Sequence, residues 1–220
     1  MKKLLGVCAA LVAAAAVSLL CVACSNSSSD DGGGTDSSVN AKESNGSNAG
    51  SGVRLKDGSN ISFALEKLGA GANGKARSFK ASASAPAAGT STETLSDESS
   101  SVEVVAWLDG TTIYYYAAGY TDSGKKLPLA AWKKYDDDYY PIDPCDGMFR
   151  GCSALESIDV SGFDTSSATR MLNMFSGCRG LTSLDVSGFD TSSVTRMDYM
   201  FQGCSALESI DVSGFDTSSA

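Results

Sequence analysis

The chain carries a 26-residue unit that occurs three times in its C-terminal third, beginning at Met148, with the last copy incomplete. The segments Gly151–Ala168 and Gly203–Ala220 are identical over 18 residues, which chance does not produce. A unit this short cannot bury its own apolar side chains, so each copy must pack against its neighbours. The repeat therefore predicts a stacked array in place of a conventional globular core.

Within one copy, the apolar residues follow two different spacings. The first half alternates as a strand does, at Leu181, Leu184 and Val186. The second half has the spacing of one face of a short helix, at Val194, Met197, Met200 and Phe201. The sequence predicts an α/β solenoid, a leucine-rich-repeat stack with one strand plus one short helix per repeat, preceded by a small β-hairpin cap and disordered linkers.

The repeat has a recognisable motif. In Met174–Met197 it reads Met-Phe-Ser-Gly-Cys-Arg-Gly-Leu-Thr-Ser-Leu-Asp-Val-Ser-Gly-Phe-Asp-Thr-Ser-Ser-Val-Thr-Arg-Met. Over Cys145–Ala220 this resembles the repeat of BspA-type leucine-rich-repeat bacterial surface proteins, and Trp107–Leu129 looks like the stretch that precedes such repeats. The resemblance implies adhesion, binding of host extracellular-matrix proteins and co-aggregation between bacteria, but it carries no binding residue with it.

The N-terminus has the parts of an export signal. Lys2 and Lys3 precede the uncharged apolar run Leu4–Leu20, and small residues then lead to Cys24. The five residues ending at Cys24 resemble a bacterial lipobox. Residues 1–23 are therefore predicted to be a lipoprotein signal peptide and Cys24 the lipidated residue. Plain secretion and a retained membrane helix are the alternatives.

Residues 24–101 are predicted to form a lipid-anchored flexible tether. Ser25–Gly52 and Gly69–Ser101 are too poor in large apolar residues to bury a core. A short helix is expected near residues 59–68, where Ile61, Leu65 and Leu68 recur at helical spacing.

Residues 102–144 are predicted to be a β-rich N-terminal cap, followed by leucine-rich repeats over residues 145–220. Two β-prone runs flank Asp109-Gly110, the strongest short hairpin signal. A third strand is expected near Lys125–Leu129. The third copy stops at Ala220, where the first copy continues, so we expect this chain to be part of a longer array.

The candidate binding face consists of the outward positions of the strand in each copy, which stack into columns. They are Asp159, Asp185, Asp211, Ser157, Ser183 and Ser209. A column of carboxylates suits a basic partner or a hard cation, and it is equally a means of keeping a sheet face soluble. If the carboxylates bind a basic partner, the affinity should fall as salt rises.

Three further groups of residues admit two interpretations each. Tyr114–Tyr116 with Tyr139-Tyr140 could stack on a sugar or partner, or could be cross-strand packing. Asp136–Asp138 could bind a cation or be a solvated loop. Cys152, Cys178 and Cys204 are predicted to be small buried thiols, with Cys145 the best candidate for a disulfide bridge.

Composition excludes several classes of function. The chain has no histidine, which removes Ser-His and Cys-His nucleophile pairs and histidine metal sites. Its net charge of −9 disfavours nucleic acid. We therefore expect no enzyme, cofactor or metal site. We expect a lipoprotein exported to the cell envelope, anchored by its lipid, surface-exposed, and binding an extracellular host or bacterial protein. The alternative is a structural or antigenically variable surface protein with no specific partner.

Overall fold

The computed structural model describes residues 53–130 and 143–220, all within one compact unit that spans Asn45–Ala220. The predicted signal peptide, the lipidated Cys24 and the tether segment Ser25–Gly52 lie outside the described residues. So do Asp136–Asp138 and Tyr139-Tyr140. Within the described residues, no helix combines the length and apolar character needed to cross a membrane.

A short helix opens the described part of the chain. Helix α1 runs over Gly58–Leu65, and a π-helical turn follows at Glu66–Ala70. The Asp57 carboxylate caps α1 by accepting a hydrogen bond from the Asn60 amide at 3.1 Å. The residues that predicted this helix, Ile61, Leu65 and Leu68, are all buried in the core.

A five-stranded mixed sheet follows. Its strands, in chain order, are β1 (Ser78–Ala81), β2 (Glu93–Thr94), β3 (Val104–Asp109), β4 (Thr112–Ala117) and β6 (Ser157–Ile158). They lie in the order β2-β3-β4-β1-β6. Strands β3 and β4 form the antiparallel hairpin around Asp109-Gly110, and β1 runs parallel to both of its neighbours, β4 and β6.

A second, two-stranded sheet is parallel. It pairs β5 (Leu127–Pro128) with β7 (Phe163–Asp164). The third strand expected near Lys125–Leu129 therefore exists, but its partner is the first repeat copy. Strands β6 and β7 belong to the first repeat copy, and their partners β1 and β5 belong to the part of the chain before the repeats. That part therefore supplies two strands against which the first copy stacks.

The structure differs from the linker prediction for Gly69–Ser101. This segment contains β1 and β2, and β1 lies in the five-stranded sheet between β4 of the hairpin and β6 of the first repeat copy. Phe79 is 2% exposed and packs on Tyr115, with ring centroids 5.2 Å apart, and on Phe149 at 5.0 Å. This segment packs into the core through a few large side chains, because neighbouring segments supply the rest of the core. Its low average content of large apolar residues therefore did not predict that it would be ordered.

The three repeat copies lie side by side in register. The rings of Phe149, Phe175 and Phe201 stack with centroids 5.5 and 5.7 Å apart, at interplanar angles of 2° and 4°. Isolated parallel bridges join Ser157 to Ser183 and Arg170 to Arg196. Each pair is separated by one repeat period, so equivalent residues face each other.

The prediction of one strand plus one short helix per repeat, and with it the α/β solenoid class, is wrong. Turns occupy the predicted helix position in every described copy. Alternate backbone amides there donate to the next copy, as Phe149 does to the Met174 carbonyl and Phe175 to the Met200 carbonyl, both at 2.9 Å. An α-helix would direct those amides to carbonyls four residues back. Asn173 also has a φ of 55°, a left-handed conformation that interrupts a helix.

Buried threonines also connect consecutive copies. The Thr165 hydroxyl accepts from the Asp190 amide at 2.8 Å and donates to the Asp190 carbonyl at 3.1 Å. Thr191 repeats both bonds with Asp216, at 2.7 and 3.1 Å. Each hydroxyl thereby satisfies two backbone groups of the neighbouring copy that packing would otherwise leave without a partner.

Candidate binding surface

One face of the five-stranded sheet points away from the core. We call it the outer sheet face, and it contains Trp107, Tyr114, Lys80, Asp159 and Asp185. The register places Trp107 beside Tyr114 and Tyr114 beside Lys80. Since Phe79 is paired with Ile158, Lys80 is followed along the same row by Asp159 and then by Asp185 of the second copy. Aromatic, cationic and anionic side chains therefore cross the sheet in a fixed sequence.

A shallow open groove of about 600 Å³ lies on this face, between β1 and the first two copies. Its polar lining consists of Ser78, Lys80, Ser157, Asp159, Ser183 and Asp185. Four of these six were predicted from the repeat alone. The groove therefore coincides with the candidate binding face where it meets the preceding strand.

All six predicted binding-face residues are exposed, including Ser209 and Asp211 of the third copy. Ile158, which lies between Ser157 and Asp159 in the alternating pattern, is buried in the core. Lys80 and Trp107 were missed as members of this face. The only signal for Lys80 was the alternation about Phe79, in a segment whose composition indicated a linker.

Each carboxylate of the Asp column is also part of a turn. Asp159 Oδ1 accepts from the amide of Ser161 at 3.0 Å and from its hydroxyl at 2.6 Å. Hydrogen bonds from the hydroxyl and amide of Ser187 lower the pKa of Asp185 below its ordinary value. The corresponding amide and hydroxyl of Ser213 lower the pKa of Asp211. The carboxylates of Asp185 and Asp211 are therefore ionised at neutral pH and place negative charge along the column.

The tyrosine run divides between the two faces of the sheet. Tyr115 is 1% exposed in the core, and burial raises the pKa of its phenol above the ordinary value. Tyr114 lies on the outer face, where the Trp107 ring stacks on it at 5.7 Å and the Lys80 ammonium lies 5.3 Å from its centroid. The Tyr114 ring is therefore already in contact with two neighbouring side chains of the sheet. Of the two interpretations, these contacts favour cross-strand packing of Tyr114 over a platform for sugars.

The four cysteines of the described residues are free thiols, so the bridge expected at Cys145 is absent. Of the three cysteines predicted to be buried, Cys152 and Cys178 are buried and Cys204 is half-buried, and Cys145 is buried as well. The Cys178 thiol donates to the Phe149 carbonyl at 3.1 Å, and burial raises its pKa to about 12. A thiol in this state is a packing group that joins two copies and is a poor nucleophile.

No group of three or more carboxylate or thiol residues in residues 53–130 and 143–220 has the arrangement of a metal site. The Asp column is extended along the stack, so its carboxylates do not converge on one point. The geometry of the column therefore does not support the interpretation that it binds a cation.

Comparison with known proteins gives one similarity. A protein-family model described as "Mycoplasma protein of unknown function, DUF285" matches residues 143–220, just over a third of the chain. No curated protein and no solved structure matches the chain. The matched region contains the three copies together with the preceding turn at Asp143, and the outer sheet face extends beyond it to β1, β3 and β4.

Proposed function

We propose that this chain is an exported, lipid-anchored binding protein whose outer sheet face holds a basic segment of an extracellular protein. The observation that carries the proposal is the groove at Lys80, Asp159 and Asp185, where carboxylates from consecutive copies line one exposed surface. An extended column of like charges suits a long ligand that makes several weak contacts in succession.

The proposed activity is binding without catalysis. Catalysis requires one distinct site, with groups of different pKa and a defined cleft. The Asp column repeats the same carboxylate in the same turn from copy to copy, and the chain contains no histidine. A surface of this kind supplies charge and shape for recognition.

The proposed location depends on the N-terminal sequence. Lys2, Lys3, the apolar run Leu4–Leu20 and Cys24 together support export followed by lipid attachment. Labelling of cells with an alkyne-tagged palmitate should mark the wild-type chain, and a Cys24→Ser variant should lose the label. Equal labelling of the two chains would contradict anchoring at Cys24.

Binding can be tested with the full chain held in detergent, using immobilised oligolysine as the probe and oligoglutamate as the reference. The variant Asp159→Asn/Asp185→Asn/Asp211→Asn removes three charges and keeps an oxygen acceptor for each turn. Three lost contacts of about 0.5 kcal/mol each correspond to about tenfold weaker binding. Raising the salt concentration should weaken the wild-type affinity in the same direction.

A second column of aspartates in the same copies provides the matched control. Asp164, Asp190 and Asp216 also accept from the serine two residues later, but lie beyond the strand positions of the outer sheet face. Changing these three to Asn removes the same charge and should leave the affinity within about twofold, the change produced by about 0.4 kcal/mol.

Equal losses in the two triple variants would mean that net charge alone attracts the probe, and would overturn the assignment of the face. The same immobilised assay with extracellular-matrix proteins asks for a specific partner. Saturable binding that the first triple variant loses supports the proposal. Absence of saturable binding to any of them favours a structural or antigenically variable surface protein.

A further inference from the structure

A second open groove lies between the hairpin and the segment that connects β1 to β2. Strand β1 pairs with β4 and β2 pairs with β3, so residues 82–92 pass from one side of the hairpin to the other. The groove has a volume of about 520 Å³, and we call it the crossover groove. It shares no lining residue with the groove at Lys80, Asp159 and Asp185. Its lining includes Pro86, Thr90, Thr92, Glu103, Val105 and Tyr116.

The aromatic ring of the crossover groove belongs to Tyr116, which lies beside Val105 across the hairpin. Its hydroxyl donates to Asp122 Oδ2 at 3.2 Å, and this bond holds the ring in one orientation. The Tyr114 ring, by contrast, already contacts two neighbouring side chains of the sheet. Among the residues that the structure describes, no aromatic or cationic side chain makes such a contact with the Tyr116 ring. One face of an oriented aromatic ring is therefore open to a ligand.

Three polar side chains of the crossover groove have no hydrogen-bond partner in residues 53–130 and 143–220. They are Thr90, which is half-buried, and Thr92 and Glu103, which are exposed. A hydroxyl both donates and accepts hydrogen bonds, whereas a carboxylate only accepts them. A purely apolar ligand would remove water from these groups and replace none of its hydrogen bonds. The ligand that fits the groove therefore carries several hydroxyl groups of its own.

We propose that the crossover groove binds a pyranose ring of a glycan. The C–H face of such a ring is apolar and packs on Tyr116 and Val105. Its hydroxyl groups donate to the Glu103 carboxylate and exchange hydrogen bonds with Thr90 and Thr92. The volume of the groove lies within the range of about 300 to 1,000 Å³ that is typical of sites for small ligands.

The dependence on salt distinguishes this site from the one proposed for a basic segment. A neutral sugar carries no charge for salt to screen, so its affinity should be nearly the same at low and high salt. Binding of a basic segment to the Asp column should weaken under the same change. The two proposals rest on different residues, and failure of one leaves the other standing.

Saturation-transfer difference NMR of the 220-residue chain, held in a detergent without a sugar headgroup, tests the site. The probes are the methyl glycosides of glucose, galactose, mannose, N-acetylglucosamine and N-acetylgalactosamine. At least one of them should bind saturably, with the strongest transfer to protons on the C–H face of its ring. A peptide of consecutive prolines is the reference for an apolar ligand.

Two pairs of variants locate the binding. Tyr116→Leu removes the ring and should weaken binding about tenfold, which corresponds to about 1.4 kcal/mol. Tyr114→Leu, the same change at the neighbouring outward tyrosine, is the matched control and should bind within about twofold of the wild type. Glu103→Ala removes the carboxylate and should weaken binding at least about fivefold. Glu98→Ala, at an exposed carboxylate outside the groove, should not weaken it.

Circular dichroism of each variant establishes that it is folded, and the change at the exposed Glu103 tests the site independently of the change at Tyr116. Absence of saturable binding to every sugar overturns the proposal. A Tyr116→Leu chain that binds as tightly as the Tyr114→Leu chain also overturns it. Binding of the proline peptide alone, lost in Tyr116→Leu, would assign the groove to a peptide and overturn its assignment to a sugar.

Discussion

The first and third copies contain the same 18-residue sequence in two different environments. In Gly151–Ala168, Leu155 is fully buried, whereas the equivalent Leu207 in Gly203–Ala220 is half-buried. The first copy lies between β1 and β5 on one side and the second copy on the other. The third copy has a neighbour on one side within the described residues. Burial in this fold is therefore a property of the neighbour, and identical substitutions should have unequal effects.

The largest difference is expected at the leucine of each copy. Leu155→Ala removes side-chain atoms from a site enclosed on all sides, so it should lower the free energy of unfolding by about 3 kcal/mol. Leu207→Ala removes the same atoms from a half-exposed site and should cost less than about 1 kcal/mol. Urea denaturation of both variants measures the difference. Equal losses would mean that the first copy is no better enclosed than the third.

The threonine junctions should give the next largest difference. Thr165→Val preserves the shape of the side chain but leaves the amide and carbonyl of Asp190 without their partner, at a cost of about 2 kcal/mol. Thr217→Val alters an exposed side chain and should change the free energy of unfolding by less than about 0.5 kcal/mol. The same denaturation experiment compares them, and a neutral Thr165→Val would argue against this junction.

The equivalent glycines Gly162 and Gly214 allow the first and third copies to be compared by adding one carbon atom to each. A Cβ on Gly162 would lie 2.4 Å from the hydroxyl oxygen of the buried Tyr115, so Gly162→Ala forces a shift costing about 1 to 2 kcal/mol. No atom lies within 4 Å of a Cβ on Gly214, so Gly214→Ala should be nearly neutral. Thermal unfolding of the two alanine variants measures this difference. A destabilised Gly214→Ala would show that the glycine is needed for its backbone conformation.

The smallest expected difference concerns pH. Hydrogen bonds from serines lower the pKa of Asp211 and Asp216, so folding favours their ionised forms. Their contribution to stability is present above the ordinary aspartate pKa and is lost as pH falls through the lowered value. Burial instead raises the pKa of Asp143 beside the first copy, and its contribution is lost as pH rises through that raised value.

The thermal midpoint measured against pH checks both signs. Asp211→Asn/Asp216→Asn should reduce the loss of stability in acid, whereas Asp143→Asn should not reduce it. A double variant with an unchanged acid profile would contradict the role of these two turns.

Much of the repeat region could be predicted from the sequence. The period, the pairing of equivalent residues and the outward Asp and Ser positions follow from identity and alternation. The helix could not be excluded, because Val194, Met197 and Met200 at helical spacing also fit a coil of turns that buries one side chain at each corner. A helix and a coil of turns differ in which carbonyl accepts the hydrogen bond of each backbone amide. The spacing of apolar side chains does not determine that acceptor.

The part before the repeats was harder to predict. The hairpin strands β3 and β4 follow from the residues around Asp109-Gly110. Strand β1 could not be predicted from its composition, because the core it joins is built from distant segments. For the same reason the place of Lys80 on the outer sheet face could not be predicted, since Lys80 lies beside the Asp column only after β1 has paired with β6.

Amide hydrogen exchange of the 220-residue chain in dilute solution tests whether backbone hydrogen bonds between copies hold the repeats together. We expect slow exchange at Phe149 and Phe175, whose amides donate to the next copy at 2.9 Å, and fast exchange at Phe201. Equal protection of all three amides would show that each copy satisfies them internally, as a helix does, and that bonds between copies are not what holds the repeats together.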